Sequence, residues 1–130
     1  MTYWDTSALI VALHDEMIRD RLASGAHFTR THSLSEMYSV LTGGRFRVRY
    51  SPANAAALAA DITRQMAFVD LSPEETLRGL QEASRYQVLG GRVHDWLHAL
   101  AAEKAGAKTL LTLNGDDFSG LERGFTVEAP

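Results

Sequence analysis

Residues 3–13 read YWDTSALIVAL. A carboxylate, Asp5, follows an aromatic pair and precedes two small hydroxyl residues, Thr6 and Ser7, and an apolar run. TYWDTS is short, aromatic and bounded by small polar residues, as a buried strand is. From Ser7 to Gly25, Leu9, Ile10, Leu13, Met17 and Ile18 recur near helical spacing, and Gly25 suits a helix stop. Asp5 therefore stands at the carboxyl end of the first strand, among Tyr3, Trp4, Ala8 and Leu9. A carboxylate in such surroundings is costly unless something positive pairs with it.

The same alternation continues outward. HFTRTH (27–32) reads as a strand and SLSEMYSVLTGG (33–44) as a helix, with Ser33 as N-cap and Glu36 at the third position of a capping box. RFRVRY (45–50) alternates charge and apolar character, as an extended segment does. SPANAAALAADITRQM (51–66) and SPEETLRGLQEASRYQVLGG (72–91) both open with a Ser cap and a Pro in the first turn. FVDL (68–71) between them is a short strand. RVHDWLHALAAEKAGA (92–107) is a helix closed by Gly106, KTLLTL (108–113) a strand, NGDDFSGLERG (114–124) a loop, and FTVEAP (125–130) a last strand. Strands alternating with helices predict a parallel sheet covered on both faces. Ligands of such sheets bind beyond the carboxyl ends of the strands. Asp5 and the NGDD loop converge on that edge.

Composition bounds the rest. The chain has 130 residues, 45% hydrophobic and 22% charged, and no cysteine. One domain spanning 1–130 with a real core is expected, with neither disulfides nor thiolate metal sites. No basic segment followed by a long apolar stretch opens the chain, and no window nears the roughly 18–20 apolar residues of a membrane span. A soluble cytoplasmic protein without a membrane partner is expected. The net charge of −3 gives no overall basic field, so a polyanionic partner would need a local basic patch or a metal.

Four acidic places stand out: Asp5, Glu36, Asp95 and the Asp116–Asp117 pair. Glu36 and Asp95 fall in the first turns of their helices, where the dipole favours a carboxylate by about 0.3–1 kcal/mol. Taken singly, each has an ordinary explanation as a cap, a first-turn charge or a loop residue. Together they repel: two carboxylates 4 Å apart cost roughly 4 kcal/mol at an effective dielectric near 20. Three or four need a cation, and oxygen ligands alone select a hard ion such as Mg²⁺ or Mn²⁺.

WDTSAL, SLSEMYSVL, GGRVHDWLHALAAEKAGA and KTLLTLNGDDF, in this order, resemble the PIN-domain family, and especially the VapC-type toxins of toxin–antitoxin pairs. The resemblance covers nearly the whole chain. It implies a three-layer α/β/α sandwich with a central, mainly parallel sheet, and divalent-metal-dependent cleavage of RNA. It implies Asp5, Glu36 and Asp95 as metal-binding acids and Asp5, Glu36, Asp95 and Asp117 as catalytic residues, with Thr6, Ser7, Thr112, Asn114 and Asp116 supporting them. Asn114 occupies the column of a further family aspartate, and the fourth place stays open among Asn114, Asp116 and Asp117. The resemblance also implies a cognate antitoxin and a homodimer.

Arg45, Arg47 and Arg49 recur at every second position and would share one side of an extended segment, a candidate RNA-contacting strip; a solvated strand edge is the alternative. His94 and His98, four apart, share a helix face, and without further matching ligands they read as a core or surface pair rather than a zinc site. Trp4 and Trp96 read as packing anchors. Other functions were weighed. A phosphatase built on Asp5 usually needs a second acid where Ser7 stands. A phosphoacceptor domain would need an aspartate ending a central strand with a lysine nearby, and Asp70 in FVDL is a poor candidate, since that segment falls late and at an edge. A PIN-like metal- or RNA-binding module without catalysis would fit the loss of charge at Asn114.

Overall fold

The computed structural model describes residues 1–44 and 49–130. Five strands form one parallel sheet: β1 (Thr2–Trp4), β2 (His27–Thr29), β3 (Ala67–Phe68), β4 (Thr109–Leu111) and β5 (Thr126–Glu128), in the order β3-β2-β1-β4-β5. Six α-helices accompany them: α1 (Thr6–His14), α2 (Glu16–Asp20), α3 (His32–Thr42), α4 (Pro52–Ile62), α5 (Pro73–Glu82) and α6 (Arg92–Ala105). This is the expected α/β/α sandwich. No helix among the described residues is long and apolar enough to cross a membrane.

The two-residue period of a strand builds the two faces. In β1, Tyr3 and Trp4 point to opposite sides, and both are fully buried. Trp4 joins Leu111 and the inner faces of α1, α3 and α4, including Leu9, Met37, Leu41 and Ala55. Tyr3 joins Leu110 and Trp96, Ala99 and Ala102 of α6, with Phe118 and Leu121 beyond them. The pairing Tyr3↔Leu110 and Trp4↔Leu111 keeps the two sets in register. Both tryptophans are the packing anchors expected; Trp96 Nε1 donates to the carbonyl of Gly79 at 2.9 Å.

Several boundaries differ from the sequence reading, each for a local reason. The single helix expected over 7–25 breaks at Asp15, whose carboxylate accepts from the amides of Met17 and Ile18 and so starts α2. Helix α3 begins at His32, not after a Ser33 cap. Ser33 already lies inside the helix, fully buried, with its hydroxyl 2.8 Å from Thr29 Oγ1. Glu36 consequently lies beyond the first turn. The 72–91 helix stops at Glu82 and passes into a 3₁₀ turn, Ala83–Tyr86. β3 is a two-residue edge strand, one residue earlier than FVDL. The Ser72 capping box is present, with both of its hydrogen bonds. Arg45 and Arg47 of the basic strip lie outside the described residues.

Helix α6 carries Asp95 in its first turn and ends at Gly106, which adopts φ +72°, the left-handed region open to glycine. Gly106→Ala should destabilise the fold by about 1 kcal/mol, read as a lower midpoint of denaturant unfolding. An unchanged midpoint would show that this helix end is not held as described.

Candidate active site

Asp5 leaves β1 and caps α1, and it is only 5% exposed. Its burial is met by hydrogen bonds rather than by a neighbouring cation. Oδ1 accepts from the amide of Ala8 at 2.9 Å and from Ser7 Oγ at 2.7 Å. Oδ2 accepts from Thr112 Oγ1 at 2.5 Å. Thr112 follows β4, the strand beside β1, so adjacent strand ends bring the pair together. The same hydroxyls order the next loop: Ser7 Oγ accepts from the amide of Leu113 at 2.9 Å, and Thr112 Oγ1 from that of Asn114 at 3.0 Å. A carboxylate has about four lone-pair sites. Donors among the described residues use three, and the fourth, on Oδ2, takes none of them.

Glu36 reaches the same place from α3. Its Oε1 accepts from Thr6 Oγ1 and from His98 Nε2, each at 3.1 Å. Burial alone would raise this carboxyl, but the bonds from His98 and Thr6 more than offset it, and it lies below its ordinary range.

Asp95 differs from both. No hydrogen-bond donor to its carboxylate is found among the described residues. Burial, then the like charges of Asp117, Asp5 and Glu36, push it up to about 6. It is the acid whose charge is least compensated.

The three acids line one cavity of about 650 Å³ together with Thr6, Ser7 and Asn114. Its wall is largely apolar, from Ile10, Val11, Val40 and Leu113, with His14, Asp15 and His98 completing it. Among the described residues no lysine or arginine lines it. The fourth place divides: Asn114 lines both this cavity and a neighbouring pocket, Asp116 and Asp117 line only that pocket, and Asp117 is close enough to raise Asp95. Arg49 packs over Gly44 at the end of α3 and does not line the cavity. Asp70 ends the edge strand segment and is engaged by Thr31, through its amide at 2.8 Å and its hydroxyl at 2.6 Å. The segment lies at the edge of the sheet, as the sequence reading placed it.

The donor set suits a hard divalent cation: carboxylate oxygens, mutual repulsion and no competing side-chain cation on the wall. As the side chains stand, however, no group of three or more His, Cys, Asp or Glu among the described residues is gathered tightly enough to hold a metal. Asp5 and Glu36 are fixed by protein donors, so closing such a group falls to Asp95.

The three acids of the sequence reading share one cavity, with Thr6, Ser7 and Thr112 bonded to Asp5 or Glu36, but that reading gave His98 no part in supporting them. His98 was read as half of a histidine pair. In fact it turns inward to Glu36 and to Tyr3, while His94 stacks on His32 at 6.1 Å between ring centroids. The only sequence signal was its place three residues after Asp95.

The PIN domain family model matches residues 2–123. No curated protein matches the chain. Among solved structures, a chain from the crystal structure of VapBC2 from Rickettsia felis, bound to a DNA fragment from their promoter, superposes with a TM-score of 0.72. It is 16% identical, and the match covers 100% of this chain and 99% of that one. At that identity the likeness bears on the fold alone.

The electrostatics set the sign of a pH effect. Asp95 binds its proton more tightly in the folded chain, at about 6 against an ordinary 3.8. The folded state thus holds more protons between those values, and stability falls as pH rises through that window. In metal-free protein, Asp95→Asn should be more stable than wild type at pH 7, by on the order of 1 kcal/mol after allowance for solvent screening. The gain should vanish below about pH 4. Urea melts across pH 3.5–8 measure this, and a variant less stable than wild type at pH 7 would contradict it.

Proposed function

The chain belongs to the PIN-domain family, and from that premise we propose that it is a divalent-metal-dependent endoribonuclease, the toxin of a type II toxin–antitoxin pair. Residues 1–130 act as one catalytic domain in this reading. The observation that carries it is Asp95: a carboxylate pushed up to about 6 by burial and by Asp117, Asp5 and Glu36, in a cavity without a lysine or arginine among its described lining residues. PIN domains are generally nucleases, and a set of repelling oxygen ligands at the carboxyl ends of parallel strands fits that activity.

Asp5, Asp95 and Glu36 are the proposed ligands of Mg²⁺ or Mn²⁺. Bound there, the ion supplies the positive charge that makes a water nucleophilic and neutralises phosphate oxygens. The chain's own residues do the rest. Ser7, Thr112 and the Ala8 amide fix Asp5 in one orientation, with a lone pair of Oδ2 to spare. Glu36, with its carboxyl below the ordinary range, is a poor proton acceptor and a well-fixed hydrogen-bond acceptor, which suits orienting the attacking water. Asn114 offers a neutral amide where a further acid is common in the family, and Asp117 adds negative charge beside Asp95. Supporting roles fall to Thr6, Ser7, Thr112 and Asp116.

RNA is the proposed substrate. Arg49, with Arg45 and Arg47 before it, is the candidate strip for phosphate contacts. A cognate antitoxin partner and a cytoplasmic setting are proposed from the resemblance to VapC-type toxins. A homodimer is proposed through α4, whose outer face exposes Ala53, Ala56, Ala57 and Ala60. One observation favours a second reading, a PIN-like module that binds metal or RNA without cleaving: among the described residues no three acids are gathered to hold a metal as they stand.

RNA cleavage with EDTA, and then with Mn²⁺ or Mg²⁺ restored, separates the readings. Cleavage should stop in EDTA and return with metal. Asp5→Asn should lose more than the roughly 10–100-fold typical of a residue that only supports a ligand. Undiminished cleavage in EDTA would rule out the metal mechanism, and intact RNA under every condition would leave the non-catalytic module.

A further inference from the structure

His98 spends its two ring nitrogens on two different residues. It is 3% exposed on α6. Nε2 lies 3.1 Å from Glu36 Oε1, and Nδ1 lies 2.7 Å from the hydroxyl of Tyr3, which is fully buried. The rings of Tyr3 and His98 meet edge-on, at 67° between planes. Chemistry then sets the direction of each bond. A carboxylate only accepts, so Nε2 carries a hydrogen. A tyrosine hydroxyl carries its proton at neutral pH, and this one is fully buried. A buried hydroxyl needs an acceptor, and Nδ1 of His98 is the only one it has among the described residues. Tyr3 therefore donates to His98, and His98 donates to Glu36.

The chain crosses the whole sandwich. Tyr3 is on the central strand, His98 on a helix of one layer, and Glu36 on a helix of the other. Glu36 needs such a hold, because its side chain is 27% exposed and has several rotatable bonds. Thr6 and His98 both bind Oε1. Oε2 is left without a protein donor among the described residues.

We propose that His98 is a positioning residue for the ribonuclease reaction, holding Glu36 through Nε2–H while Nδ1 accepts from Tyr3, with Oε2 kept for the reacting water or the cation. With both nitrogens committed, His98 is not itself a ligand. What Glu36 does in the reaction rests on the functional reading above. The hydrogen-bonded chain does not.

Two substitutions separate positioning from packing. The amide of Gln extends to the place of Nε2, whereas that of Asn stops near Nδ1. Measured on RNA with Mn²⁺, His98→Asn should lower kcat by about 10–100-fold with KM changed less than about twofold, and His98→Gln should recover most of kcat. A packing role alone would cost both variants alike, in step with their loss of thermal stability. The metal-free readout is the imidazole ¹⁵N spectrum. Wild type should show His98 protonated at Nε2 and bare at Nδ1, and Tyr3→Phe should move the Nδ1 resonance, which loses its donor, while Nε2 keeps its hydrogen on Glu36. His98 protonated at Nδ1 in wild type would overturn the proposal, as would Asn and Gln variants of equal kcat. If wild type cleaves no RNA, the functional reading falls, and the ¹⁵N spectra of wild type and Tyr3→Phe still decide the chain. They decide it equally if His98→Asn does not fold.

Discussion

The hydrogen bond from Thr112 to Asp5 ties together the ends of two neighbouring strands, and the rest of the site depends on it. A carboxylate buried at the head of α1 is tolerable only if donors replace its water. Thr112 brings one donor from the end of β4, Ser7 and the Ala8 amide bring two more from α1, and the same hydroxyls then accept from the amides of Leu113 and Asn114. The orientation of the acid and the path of the loop beyond β4 are thus one structure. The parallel register of β1 and β4 makes it possible, because it sets Trp4 beside Leu111 and so brings Asp5 next to Thr112.

Three acids on one wall are then placed in three electrostatic situations. Asp5 is satisfied by neutral donors. Glu36 is held by Thr6 and His98 strongly enough to overcome its burial. Asp95 receives the field of the others and is pushed up to about 6. The fold fixes two carboxylates and leaves the third under strain from its neighbours, an arrangement that a divalent cation would relieve and that protonation relieves in its absence.

The architecture was legible because alternating strands and helices leave a strong pattern, and because a residue's place at a strand end follows from that pattern. Asp5 and Asp95 could be found this way: one ends the first strand, and the other lies in the first turn of α6. Glu36 was found for a partly wrong reason. Ser33 and Glu36 have the spacing of a capping box, but the helix begins one residue before Ser33, whose buried hydroxyl meets Thr29, and Glu36 falls outside that role. His98 was out of reach, since its partners lie 62 and 95 positions away and nothing local marks an imidazole that bridges two layers. The fourth position stayed open for a similar reason. Asn114, Asp116 and Asp117 are consecutive or nearly so, and only the turn of the loop separates the cavity wall from the pocket beyond it.

The most direct test of the account is a calorimetric titration of Mn²⁺ into the protein at several pH values, in buffers of different ionisation enthalpy, which counts the protons released on binding. Asp95 titrates near 6 in the metal-free protein, and a metal ligand must bind deprotonated. Binding at pH 6 should therefore release about half a proton, binding at pH 8 almost none, and Asp95→Asn should abolish the release and weaken binding. Saturable Mn²⁺ binding with no proton release at pH 6, or no binding at all, would contradict the claim that the unrelieved charge on Asp95 marks a cation site.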